Sequence, residues 1–308
     1  MSSSTTGAAA VRRKIESLST MLNLPTARRA LGLMEGEHRT ARRGGDDDPM
    51  SIRDYTAEDE SRLIDWKASA RNGRPMVLER EHLSTSRIYL MLNVGVSMNG
   101  TCENGETAGE VAANALCTFA ALSARRHDEI HLVFADGVTI ASKPFRGGLG
   151  TFERELDGRL DQGFTGSDNI AALFDYAKTL NDHGSIVVIA TEEHELDSVE
   201  PTAIRRVAAD HPLVVVSVST LNPFRRHHLG AVTDGSSGRR VPAFLINEQS
   251  ATAHDAHREY LARRLEGELK RNGARLIRAG SSQAMLSSFV TTLSKASNWG
   301  GTGLERNA

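Results

Sequence analysis

From Ser86 onward, short runs of β-branched and aliphatic residues alternate with longer stretches whose apolar positions recur at helical spacing. The runs predict strands over 87–94, 129–135, 138–142, 185–191, 213–219 and 274–279. The stretches between them predict helices near 107–125, 150–160, 168–181, 199–209, 250–271 and 281–297. Strand and helix taken in turn are the signature of βαβ crossovers, so the fold class is α/β, a Rossmann-like doubly wound and mainly parallel six-stranded sheet. Asp136-Gly137, between the second and third runs, supplies the positive φ angles of a tight hairpin turn, which makes one edge strand antiparallel. In the fifth helix Leu261, Leu265 and Leu269 fall on one face, and Gly273 follows as a stop.

Before Ser86 the pattern is weaker. Residues 1–10 are small and polar and read as a disordered tail. Ile15, Leu18, Met21 and Leu22 repeat at helical spacing until Pro25 interrupts, and the run from Arg39 to Asp48 reverses charge through Gly44-Gly45. The chain thus divides into the tail, a helical or irregular N-terminal segment over 11–85, an α/β domain over 86–297, and a flexible tail over 298–308.

Composition narrows the function classes. With 308 residues and a formal net charge of −2, the chain can bury an ample core and carries no bulk signature of nucleic-acid binding. Cys102 and Cys117 have no paired metal spacing, which suits a reduced, cytoplasmic protein. The start lacks the apolar stretch of a signal peptide, and no apolar run approaches the roughly 20 residues of a spanning helix. Basic Arg12-Lys14 and Arg39-Arg43 leave room for peripheral contact with an anionic membrane.

In doubly wound sheets ligands gather beyond the carboxyl ends of the strands, here Asn93–Gly100, Phe164–Asn169 and Thr191–His194. Gly95-Val96-Ser97-Met98-Asn99 nearly spells a nucleophile elbow, but its fifth position is not glycine and a polar loop follows, so a serine hydrolase using Ser97 is a remote alternative. His254-x-x-His257 has too few companions for zinc, and Gly147-Gly148-x-Gly150 lacks the Lys-Ser/Thr ending of a phosphate loop.

The block Arg53-x-Tyr55-x3-Asp59-x2-Arg62-x-Ile64-Asp65-Trp66-Lys67-x-Ser69-Ala70-Arg71, followed by Gly73-Arg74-Pro75, resembles the signature of the domain of unknown function 58 family. Ala57-Glu58 stands where that family usually has Pro-Gly. The resemblance implies a von Willebrand factor A-like domain acting as a non-enzymatic protein-binding adaptor, with a MoxR-type AAA+ ATPase and an unidentified client protein as partners. Arg53, Tyr55, Asp59, Arg62, Asp65, Trp66, Lys67 and Arg71 are then either a salt-bridge lattice anchored by Trp66 or a docking surface. The resemblance also implies where a metal-ion-dependent adhesion site would lie: Asn93 and Ser97 after the first strand, Ser167 at the hydroxyl position and Glu192 at the final carboxylate. Because Asn93 replaces an Asp and Gly95 a Ser, that site is expected to be degenerate, with no cofactor and at most weak Mg²⁺ binding. The alternative is a Mg²⁺-dependent protein-binding module.

Overall fold

A computed structural model describes residues 49–56, 64–80, 87–124, 128–225, 232–235 and 237–299. They belong to two compact units, one within Gly36–Ser86 and the other carrying everything described from Arg87 onward.

In the smaller unit β1 (Pro49–Asp54) pairs antiparallel with β2 (Met76–Arg80), and α1 (Trp66–Asn72) lies between them in sequence. Asp65 starts the helix by accepting the backbone N–H of Lys67 at 2.9 Å and of Ala68 at 3.0 Å; Gly73, at φ 68°, ends it. The Ser69 hydroxyl donates to the Asp65 carbonyl and accepts from Met76 N–H, stitching helix to strand. A helical or irregular segment was expected, without strands. The pairing joins residues more than twenty positions apart across a helix, and such non-local pairing leaves little trace in a short alternating run.

The larger unit holds β3 (Arg87–Asn93), β4 (Glu129–Ala135), β5 (Ile140–Phe145), β6 (Ile186–Glu192), β7 (Leu213–Val218) and β8 (Arg275–Ala279). Their order is β5-β4-β3-β6-β7-β8, parallel throughout except for β5. This is the doubly wound, von Willebrand factor A-like arrangement that the sequence leads one to expect. The helices are α2 (Ala108–Ala124), α3 (Leu149–Asp161), α4 (Ile170–Lys178), α5 (Pro201–Asp210), α6 (Glu248–Arg271) and α7 (Ser282–Trp299).

Alternation along the central strand sends Ile88, Leu90 and Leu92 into a core with α2, α3 and α7, and Tyr89 and Met91 into a second core with α4, α5 and α6. Both faces of the sheet are therefore covered, and each fully buried Leu, Ile or Phe contributes about 1.5–3 kcal/mol. Alanines at 108, 112, 113, 115, 120 and 121 let α2 sink against the sheet, where it is buried almost all round.

The β4–β5 turn corrects one expectation. Gly137 is not among the positive-φ glycines, and the turn is held instead by Asp136, whose Oδ1 accepts the N–H groups of Val138 and Thr139, each at 2.8 Å. Glycine at 137 leaves room for Ser167: a Cβ there would lie 1.9 Å from Ser167 Oγ and 3.1 Å from its carbonyl oxygen, so a larger residue would have to displace that hydroxyl. The strand that follows runs over 140–145 rather than 138–142.

Candidate functional site

The chain enters the sheet at β3, works outward to β5, then crosses back to β6, so the winding reverses between β3 and β6. Their carboxyl ends deliver Asn93, Thr191 and Glu192 to the mouth of that crevice. The 164–169 loop closes over it from α3. Phe164 is packed where a side chain at Gly109 would collide with its ring at 2.6 Å, Asn99 Nδ2 donates to the Phe164 carbonyl at 2.6 Å, and Val96 N–H donates to the Gly166 carbonyl at 2.8 Å.

That closure places the carboxylate of Asp168 in the middle of the strand-end loops. Its Oδ1 accepts Ser97 Oγ–H at 2.6 Å and Asn93 Nδ2–H at 3.1 Å, and its Oδ2 accepts the Ser97 backbone N–H at 3.1 Å. Asn93, fully buried, donates its second amide hydrogen bond to Thr191 Oγ1 at 3.0 Å and accepts Gly95 N–H at 3.0 Å. Gly95 has ordinary extended angles, φ −76° and ψ 171°, so its missing side chain is a matter of room. A Cβ at 95 would lie 2.1 Å from Asp168 Oδ1 and 2.7 Å from its Cα.

Of the four residues expected at an adhesion site, Asn93 and Ser97 meet through Asp168. Ser167 stands outside: its carbonyl accepts Gly137 N–H at 2.6 Å and its hydroxyl rests against Gly137. Glu192 is buried but turned toward β7, accepting His194 N–H at 2.7 Å and Thr220 Oγ1–H at 3.1 Å, and burial pushes its carboxyl above the ordinary range. Asp168 and Thr191 fall within the strand-end windows read from the sequence, but neither was given a role at the site. The acidic residue directly after Ser167 was the available signal, but the direction of a loop side chain is not written in its spacing.

A divalent cation needs convergent oxygen ligands and at least one or two carboxylates to offset its dehydration. Here the oxygens of Asn93, Ser97 and Glu192 are engaged with internal partners, and Asp168 is the one carboxylate at the centre. Among the described residues no group of three His, Cys, Asp or Glu is arranged to hold a metal. The residues do not fit a tightly bound cation.

Next to this cluster lies a buried ion network. Glu193 Oε2 accepts Arg258 Nη2 at 2.5 Å and Ser219 Oγ at 2.8 Å, while Arg278 Nε forms an ion pair with Glu193 Oε1 at 2.5 Å. Burial raises the Glu193 carboxyl, but the hydrogen bond and charge of Arg258, joined by Ser219 and Arg278, outweigh it and hold the group below its usual range. Glu195 lacks such company. Burial, then the charges of Asp168 and Glu192, push it up to about 7.

Ser97 lies in a 3-10 turn, Val96–Asn99, and gives its hydroxyl hydrogen to Asp168; the histidines His227 and His228 that a triad order would use lie outside the described residues. His254 packs edge-on against Phe224 at 5.4 Å. A side chain at Gly235 would come within 3.9 Å of the Val96 carbonyl, so part of the segment after Asn222 stands beside the strand ends.

In the smaller unit, Trp66 is 72% exposed, so it is a surface residue and not an apolar anchor. Asp65 is spent on the helix cap, and among the described residues no ion pair joins it to Lys67 or Arg71, both exposed. The pair that does form is Arg74 with Asp54, at 2.9 Å. Tyr55 is half-buried, with its N–H donated to the Pro75 carbonyl at 2.9 Å. Asp59, Arg62 and the side chain of Arg53 lie outside the described residues.

Residues 51–233 match the family described as "Protein of unknown function DUF58". No curated protein matches the chain. Among solved structures it is similar to an aerotolerance-related membrane protein from Bacteroides fragilis NCTC 9343, at 11% identity over 68% of this chain and 99% of that one, with a TM-score of 0.43. It is also similar to the SpRpn10 VWA domain, at 9% identity over 67% and 94% of the two chains, with a TM-score of 0.35. An uncharacterized membrane spanning protein from Vibrio fischeri aligns at 14% identity over 66% and 95%, with a TM-score of 0.23. No helix among the described residues of the present chain is long and apolar enough to cross a membrane.

Proposed function

The chain belongs to the family of proteins of unknown function DUF58, whose match spans residues 51–233, and on that premise we propose that it is a non-enzymatic protein-binding adaptor whose strand-end surface works without a metal ion. The observation that carries this reading is the Asp168 carboxylate, held by Asn93 and Ser97 in the centre of the strand-end loops, with Gly95 leaving it room. An internal carboxylate already supplies the negative charge there, and the donors around it are satisfied. A partner would meet a preformed polar surface.

The partner implied by the family resemblance is a MoxR-type AAA+ ATPase, acting with this chain on a client protein in assembly, maturation or chaperone-like work. The exposure of Trp66 beside Lys67 and Arg71 favours the signature block as the docking surface, since aromatic and arginine side chains are enriched among the energetic centres of interfaces. Co-purification of the tagged chain from its native cell, with and without EDTA, tests both parts. The MoxR-type ATPase is expected in both eluates and is expected to be lost with Arg62→Glu plus Trp66→Ala in a chain that remains folded. Capture abolished by EDTA and restored by Mg²⁺ would instead establish the metal-dependent module, and capture unchanged by the double variant would make the block structural.

A further inference from the structure

We propose that the groove between edge strand β5 and helix α3 binds an extended, acidic peptide segment of a partner protein. This surface differs from the signature block and from the strand-end site, so the inference stands without the adaptor reading above.

The groove has a volume of about 690 Å³. One wall is the strand side, Thr139 to Lys143, with Phe134 behind it on β4. The other is a single stripe of α3, in which Arg154, Gly158 and Gln162 recur every four residues and Arg159 stands alongside. The walls are held apart at a fixed distance by contacts below them. Phe152 and Leu156 are fully buried, and Phe145 meets Phe152 edge-on at 5.2 Å between ring centres. Two small residues, Ala141 on the strand and Gly158 on the helix, keep the space open; a Cβ at Gly158 would touch nothing within 4 Å.

Charge decides the occupant. Lys143, Arg154 and Arg159 line the groove against one carboxylate, Glu155, and that carboxylate is paired with Lys143. The two guanidinium groups are bonded only to neutral acceptors: Arg154 to the Gly150 carbonyl and Thr151 Oγ1, each at 3.2 Å, and Arg159 to Gln162 Oε1 at 3.0 Å. Among the described residues neither has a carboxylate in ion-pair range. Guanidinium groups that line an open cleft on a rigid helix, with no carboxylate in ion-pair range, are suited to carboxylates delivered from outside. The strand wall sets the form of the ligand. β5 is an edge strand with β4 as its one neighbour and is exposed along Ile140–Pro144, so it can take an added strand whose alternate side chains fall toward α3. An extended segment with a small apolar residue over Ala141 and Gly158 and acidic residues toward Arg154 and Arg159 satisfies both walls. Lys143 and Pro144 limit how far such a strand can run, which keeps the edge from pairing at random.

The probe is a fluorescein-labelled peptide of alternating Glu and Val residues, titrated with the full chain at low salt and followed by fluorescence anisotropy. Saturable binding is expected, weakened at least tenfold by Arg154→Glu plus Arg159→Glu and by Gly158→Leu. The leucine fills the cleft while favouring the helix, so circular dichroism should be unchanged. Arg205→Glu plus Arg206→Glu, exposed on α5, should leave the affinity as it was, and a Lys-Val peptide should not bind. Absence of binding by the Glu-Val peptide, or equal binding by the wild type and both groove variants, would overturn the proposal. So would a single-stranded oligonucleotide that binds the wild type as tightly as the peptide and loses binding in the same variants.

Discussion

Gly95 and Asp168 are a matched pair. The glycine is present because the carboxylate, and behind it the Asp168 Cα, fills the volume a side chain would need. Gly95→Ser, which returns the hydroxyl of a cation-binding loop, should therefore destabilise the protein by about 1–3 kcal/mol through overpacking, as read by urea unfolding. Metal binding should not return with it. Glu195 gives a second test. Its native carboxyl, pushed to about 7 by burial and by Asp168 and Glu192, binds its proton more tightly than it does in the unfolded chain. The protonated group thus favours the native state below its ordinary value of 4.5, and that contribution is lost as pH rises through about 7. Glu195→Gln should remove this slope and be more stable than wild type at pH 8 by roughly 1 kcal/mol, a figure discounted for a half-exposed group. At this scale the sequence was informative where a residue type was itself the message, as with Asn93 and Gly95. It was uninformative where a loop side chain had to choose a direction: Ser167 turns to Gly137 and its neighbour Asp168 turns inward.

At the scale of elements, every strand and α-helix of the larger unit could be anticipated to within a few residues, because each buries a face with its own period, two for the strands and near 3.6 for the α-helices. β1 and β2 could not, since neither has a long periodic run and their partner is across α1. The same limit applies to ion networks that join elements. Arg258 on α6, Arg278 on β8 and Glu193 after β6 meet only in the folded chain. Arg258→Ala should cost about 3 kcal/mol, measured by denaturant unfolding, because it strips the main partner from a buried carboxylate; Arg278 remains to limit the loss. Trp66→Ala, by contrast, should change stability by less than about 0.5 kcal/mol, since the ring is on the surface of α1. A larger loss would return Trp66 to the role of an anchor.

Over the whole molecule, the doubly wound sheet determines where a site can be, and the residues at the β3–β6 switch determine what it can hold. In this chain the switch point is closed by its own carboxylate, while Arg154 and Arg159 on α3 line the groove beside the edge strand with neutral hydrogen-bond partners. Under the two proposals these surfaces take different partners, one that meets the polar face at the strand ends and one that brings an acidic strand to the edge. Isothermal titration of the full chain with Mg²⁺, Mn²⁺ and Ca²⁺ tests the central claim most directly. The account predicts no saturable heat below millimolar concentration for any of the three ions. Clear sub-millimolar binding that is abolished by Glu192→Ala or Asp168→Ala would contradict it.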